Sequence, residues 1–105
     1  METYIKRDYQ KNWVAATEIA IEDDRVVTIR TRKSSSGALV TYVSVGKSRD
    51  GFISHMMFHD YNKSAMVSNP KRITEKLVSA QHDKVLSGID ALLADINEFY
   101  SKEIA

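Results

Sequence analysis

The sequence predicts an α+β fold: a four- or five-stranded antiparallel sheet, a β-meander, with a long C-terminal amphipathic helix packed on one face. Two patterns predict it. Between Trp13 and Phe58, apolar side chains recur at every second position, the period of strands half buried against another layer. Between Val78 and Tyr100 they recur at about 100° per residue, the period of a helix with one apolar stripe. A chain of 105 residues suits one domain, expected to span 1–105 with an arm at 1–12, the sheet at 13–68 and the helix at 70–101.

Each element follows from local chemistry. The first twelve residues are mostly polar, carry Tyr4 and Tyr9, and read as an arm or a short edge strand. Trp13, Ala15, Thr17, Ile19 and Ile21 then face one way, and Val27, Ile29 and Thr31 repeat the set after a turn. The two sets share a face only across an odd loop, so a three-residue Asp23-Asp24-Arg25 connection is expected. Leu39, Thr41, Val43 and Val45 make a third strand, Phe52, Ser54, Met56 and Phe58 a fourth, and Ala65–Val67 a short fifth. The Lys33–Gly37 connection reads as long, polar and mobile, whereas Gly46–Gly51 suits a turn. Asn69 followed by Pro70 is a helix-start signal. Val78, Val85, Ile89, Leu92, Leu93, Ile96, Phe99 and Tyr100 form the helical stripe, while Ile73 and Leu77 lie off it and predict a bend near 79–82. The expected core therefore joins Ile19, Ile29, Val43, Phe58, Ile89 and Ile96.

Composition narrows the function classes. There are no cysteines, which removes disulfides, thiolate metal sites and cysteine nucleophiles together. No run of about 18 apolar residues is present, and the N-terminal stretch lacks the apolar core of a secretory signal, so a cytoplasmic protein is expected. The net charge of +1 hides a gradient: residues 34–76 carry a net +3 and residues 77–105 a net −3.

The candidate site is the sheet face turned away from the helix. It should present Val14, Ala16 and Glu18; Val26, Thr28, Arg30 and Arg32; Val40 and Tyr42; Ile53, His55, Met57, His59 and Tyr61. Tyrosine and arginine are the types enriched where surfaces bind one another, and they also stack on bases and neutralise phosphates. Such a face is too apolar to be left bare, so a homodimer, or cover by the Tyr4–Tyr9 arm, is expected. Lys71 and Arg72 would add an anion seat at the helix start, though they oppose the macrodipole there.

Other chemistries find less support. His55 and His59 would share a face on a helix, but on a strand they stand about 13 Å apart, too far to chelate one metal. Gly46-Lys47-Ser48 lacks the earlier glycine and the following helix of a phosphate loop. Ser34–Ser36 have no visible base, and Asp23 and Asp24 lie in a turn where nothing raises a carboxyl pKa. His82 falls on the apolar stripe and reads as a packing residue. No enzyme, cofactor or metal is expected. In order of elements, residues 13–100 are similar to the single-strand-binding modules of the transcriptional-coactivator and whirly/PUR type. The resemblance implies binding of single-stranded nucleic acid on the sheet. The alternative is a protein-binding regulator, such as an inhibitor, immunity or anti-defence protein, using the same face.

Overall fold

The computed structural model describes residues 2–22, 24–49, 52–53 and 61–104. Among them, six strands precede two helices: β1 (Glu2–Arg7), β2 (Trp13–Ile21), β3 (Arg25–Lys33), β4 (Leu39–Arg49), β5 (Phe52–Ile53), β6 (Tyr61–Ser68), α1 (Glu75–Leu86) and α2 (Ile89–Ile104). Every pairing is antiparallel, in the order β1-β2-β3-β4, with β5 and β6 both joining the far side of β4. The α+β class and the antiparallel sheet are therefore as the sequence predicts. Among the described residues no helix is long and apolar enough to cross a membrane.

Period-two alternation sets the two faces. Ala15, Thr17, Val27, Ile29, Thr31, Leu39, Thr41, Val43 and Val45 are all buried on the helix side. Val27, Ile29, Val43 and Val45 join Ile96 and Tyr100 in one apolar cluster, with Ile19 and Ile89 packed at its margin. Phe58, expected in this core, lies outside the described residues. A second, smaller cluster joins Ala15 and Leu39 to Val78, flanked by Ile5, Trp13 and Ile73.

Between the clusters runs a polar seam. Thr3 and Thr17 pair through their hydroxyls at 2.6 Å, and Thr31 and Thr41 at 2.7 Å. His82 of α1 bridges the two pairs, its Nε2 2.7 Å from Thr17 Oγ1 and its Nδ1 2.8 Å from Thr31 Oγ1. Gln81 continues the row, donating to Thr41 Oγ1 and to the Leu39 carbonyl and accepting from the Ser68 hydroxyl. Buried polar groups are tolerable only when satisfied, and here five strands supply the partners. His82 is thus fully buried, and that burial pushes its pKa below the usual histidine value, against a weaker upward pull from Asp83.

Several elements differ from expectation. Of the two readings of the first twelve residues, the edge strand is found. β1 pairs with β2 from Glu2↔Glu18 to Arg7↔Trp13, so it extends the sheet and the expected cover of a face by this arm does not form. The first loop is odd, as required, but spans residues 22–24, since Ile21 pairs with Arg25. Moving the loop by one residue shifts the pairing register by two, which keeps the parity and sends Arg25 to the helix side, its guanidinium 3.9 Å from the Tyr100 ring centre. The serine connection is a tight turn, with Gly37 N–H donating to Ser34 O at 3.0 Å and Ser34 N–H to Ala38 O at 2.8 Å. Gly37 takes φ +90°, a conformation other residues resist.

The helical region divides. Asn69-Pro70 does not start a helix; Thr74 does, its hydroxyl accepting from Leu77 N–H at 3.2 Å. The break falls at Ser87-Gly88 rather than at 79–82. One long helix would set its charges against the macrodipole, and two shorter ones remove the conflict. Glu75 and Asp90 now occupy first turns, and Lys84 and Lys102 last turns.

Candidate nucleic-acid interface

On the outer face, register places Arg30 directly opposite Tyr42 and also opposite Ala16, and Arg32 opposite Val40. Arg32 carries its guanidinium 5.3 Å from the centre of the Tyr42 ring. Two arginines therefore flank one tyrosine, the arrangement of a cation–π contact with a spare positive charge beside it. Val14, Ala16 and Val40 are buried although they face outward. The long side chains beside them in register supply that cover within a single chain, as arginine stems do over apolar neighbours.

The site grows toward one end of the sheet. Both the β1–β2 and β3–β4 hairpins turn there, and they are built alike. Asp8 N–H donates to Asn12 O and Lys11 N–H to Asp8 O, each at 2.9 Å, matching the two bonds of the serine turn. Lys11, at φ 65°, occupies the position that Gly37 holds in the other hairpin. The Asp8 carboxylate is committed to this turn, accepting from Gln10 N–H at 2.9 Å and Asn12 N–H at 3.0 Å. Between the turns lies a cleft of about 470 Å³ lined by Gln10, Asn12, Arg32, Lys33, Ser34, Ser35 and Tyr42. Its lining holds two cations, several neutral hydrogen-bonding groups and no carboxylate, which suits an anionic, oxygen-rich ligand.

The expected site residues separate into four groups, the last being Tyr61 alone. Arg30, Arg32 and Tyr42 come together as the period-two pattern requires. Lys71 and Arg72 are exposed in the segment that leaves β6 at the same end of the sheet, where Ser68 pairs with Leu39. They precede the N-cap Thr74, so the expected seat at a helix start is not formed. His55 and His59 lie outside the described residues.

Tyr61 is a correction. It is 7% exposed on the helix side, within the apolar cluster and edge-on to Phe99 at 5.4 Å between ring centres. Its hydroxyl donates to Asp95 Oδ2 at 2.9 Å. Burial, aided by the bond to Asp95 and its charge, pushes the phenol pKa up to about 12. Such a ring is not available to stack on a base. Its parity was inferred from Phe52 and Phe58, but Tyr61 pairs with Val45 in a separate strand, which restarts the alternation.

Gln10, Asn12, Lys33, Ser34 and Ser35 are the site residues that sequence reasoning missed. The hairpin lengths hold the one usable signal, because a turn at residues 8–12 and another at 34–38 must lie side by side once β2 and β3 pair. No protein-family model, curated protein or solved structure matches this chain.

Proposed function

We propose that the chain is a small, non-enzymatic binding protein of the cytoplasm that holds single-stranded nucleic acid on its outer sheet face. The observation that carries this is the Arg30–Tyr42–Arg32 group opening into the carboxylate-free cleft. Arginine neutralises backbone phosphates with little regard to sequence, while an aromatic or guanidinium plane accepts any base. Asn12, Gln10 and the two serines would satisfy sugar and phosphate oxygens. Positive charge also collects at this end of the sheet, through Arg7, Lys11, Arg32, Lys33, Lys71 and Arg72, whereas Glu18, Glu22 and Asp24 lie toward the other. A strand would then be anchored at the basic end and run across the face.

A protein partner is the second reading, favoured by Tyr9, which is 93% exposed at the tip of the β1–β2 turn. Salt separates the two, because phosphate contacts release counterions and apolar contacts do not.

The test is fluorescence anisotropy with short single-stranded oligonucleotides across a salt series. Replacing Arg30 and Arg32 together by Ala should weaken binding at least tenfold and flatten the salt slope. It also uncovers Ala16 and Val40, so a modest loss of thermal stability is expected, and circular dichroism checks that the variant stays folded. Tyr42→Ala should weaken binding by about 1–3 kcal/mol without altering that slope. An absence of binding to any oligonucleotide at low salt would end this reading.

A further inference from the structure

Among the described residues the sheet has two long open sides, and they differ. On β6, the register shifts by one residue at Ala65 and Lys63 stands on the strand, both features that discourage another strand from adding. On β1 the pairing with β2 is regular through all six residues, with no bulge and no proline. Its outward side chains, Glu2, Tyr4 and Lys6, share the face of Ala16 and Glu18, and Tyr4 is 46% exposed. Lysine on an open strand normally repels a neighbour. Here the order Glu2-x-Tyr4-x-Lys6 is its own complement when reversed.

We propose that two copies of this chain pair antiparallel through β1, about a two-fold axis passing beside Tyr4. Face preservation allows only registers in which outward residues meet outward residues. The register centred on Tyr4 sets Glu2 against the partner's Lys6, Lys6 against the partner's Glu2, and Tyr4 against its own copy. Thr3 and Ile5 then meet on the helix side. That flank has room, because a groove of about 410 Å³ lies beside Ile5 between β1 and α1. The interface is isologous, with two opposite-charge pairs and one aromatic pair, each a cross-strand contact that favours association. The result is one continuous sheet with an Arg30–Tyr42–Arg32 group on each half, independent of what those groups bind.

The absence of cysteine makes the register directly readable. Opposed residues in an antiparallel pair have Cα atoms about 4.5–5.5 Å apart, within reach of a disulfide. Tyr4→Cys should therefore form a disulfide-linked dimer under mild oxidation, while Ile5→Cys and Thr3→Cys should not. In equilibrium sedimentation, Glu2→Lys and Lys6→Glu should each weaken the wild-type dimer about tenfold, since each places two like-charge pairs at the interface. The double reversal should restore it. All these positions are on an exposed strand, and circular dichroism checks that each variant stays folded. A wild-type monomer at every concentration tested overturns the proposal. So does a dimer that ignores the single reversals, or cross-linking through Ile5→Cys in place of Tyr4→Cys.

Discussion

His82 carries more consequence than any other single residue. Both of its ring nitrogens are occupied by threonine hydroxyls, and no water reaches it. Removing it strips two hydroxyls of a partner and opens a cavity, so His82→Ala should cost about 3 kcal/mol. Its lowered pKa also fixes a pH dependence. As pH falls, the unfolded chain binds a proton at the ordinary histidine value before the folded chain does. The stability from this group is therefore complete above about pH 6.5 and is lost as pH falls below it toward the folded value. Urea midpoints at neutral and mildly acid pH should diverge in the wild type and diverge less in His82→Gln. An equal divergence in the two proteins would remove His82 as the cause. In the sequence, His82 marks an apolar stripe and nothing more. The stripe shows that it is buried, but its partners, Thr17 and Thr31, are 65 and 51 residues away in the chain.

At the scale of elements, β2, β3 and the first part of β4 were legible. By contrast, β4 runs on to Arg49 through the start of the expected Gly46–Gly51 turn, and β6 begins at Tyr61 where only Ala65–Val67 was expected. Alternation from Ala15 to Val45 assigned the buried face because aliphatic side chains fill six of its nine buried positions and the short Thr17, Thr31 and Thr41 fill the rest. In α1 the buried positions are Val78, Gln81 and His82, two of them polar. Hydrophobic periodicity fails when the facing surface is a row of threonines, and Ile73 and Leu77, off the stripe, suggested a bend at 79–82 instead. The break at Ser87-Gly88 was not expected, because the apolar stripe continues across it from Val85 to Ile89. Turns gave a similar lesson, since three serines suggest mobility while the glycine after them specifies a tight hairpin. At φ +90°, a Cβ on Gly37 meets no atom within 4 Å, so the cost of replacement is conformational alone. Gly37→Ala should lose about 1 kcal/mol in stability and also disturb the Ser34–Ser35 wall of the cleft. Thermal melts showing no loss would mean that the turn readily adopts another form.

The whole molecule is polarised along its strands. Basic side chains gather where the β1–β2 and β3–β4 hairpins turn and acidic ones toward the β2–β3 turn, with exceptions such as Asp8 at the first end and Arg25 at the second. Segment charges in the sequence show a basic middle and an acidic C-terminus, which is a different division. Only the antiparallel pairing brings Lys11, Arg32, Lys33 and Arg72 to one end. Glu18 is exposed on the outer face opposite Thr28, away from the cleft. If a strand crosses that face, Glu18→Lys should extend the basic track and tighten oligonucleotide binding, with a steeper salt slope. Unchanged affinity would confine the ligand to the cleft end.

The two helices are held to the sheet by different forces. The α1 backbone comes close to β2, β3, β4 and β6, over small residues and through hydrogen bonds at the seam. By contrast, α2 rests on the sheet mainly through apolar side chains such as Ile96 and Phe99, with the Tyr61–Asp95 bond and the Arg25–Tyr100 contact beside them. Apolar attachment weakens on cooling, whereas hydrogen bonding does not fade in the same way. Near freezing, the amides of α2 should therefore exchange with deuterium sooner than those of α1, and warming to room temperature should narrow the gap. The C-terminal helix would then be a separately releasable layer, able to lift while the seam keeps α1 and the strands beneath it in register. Earlier loss of protection in α1 would show that the seam is the weaker hold.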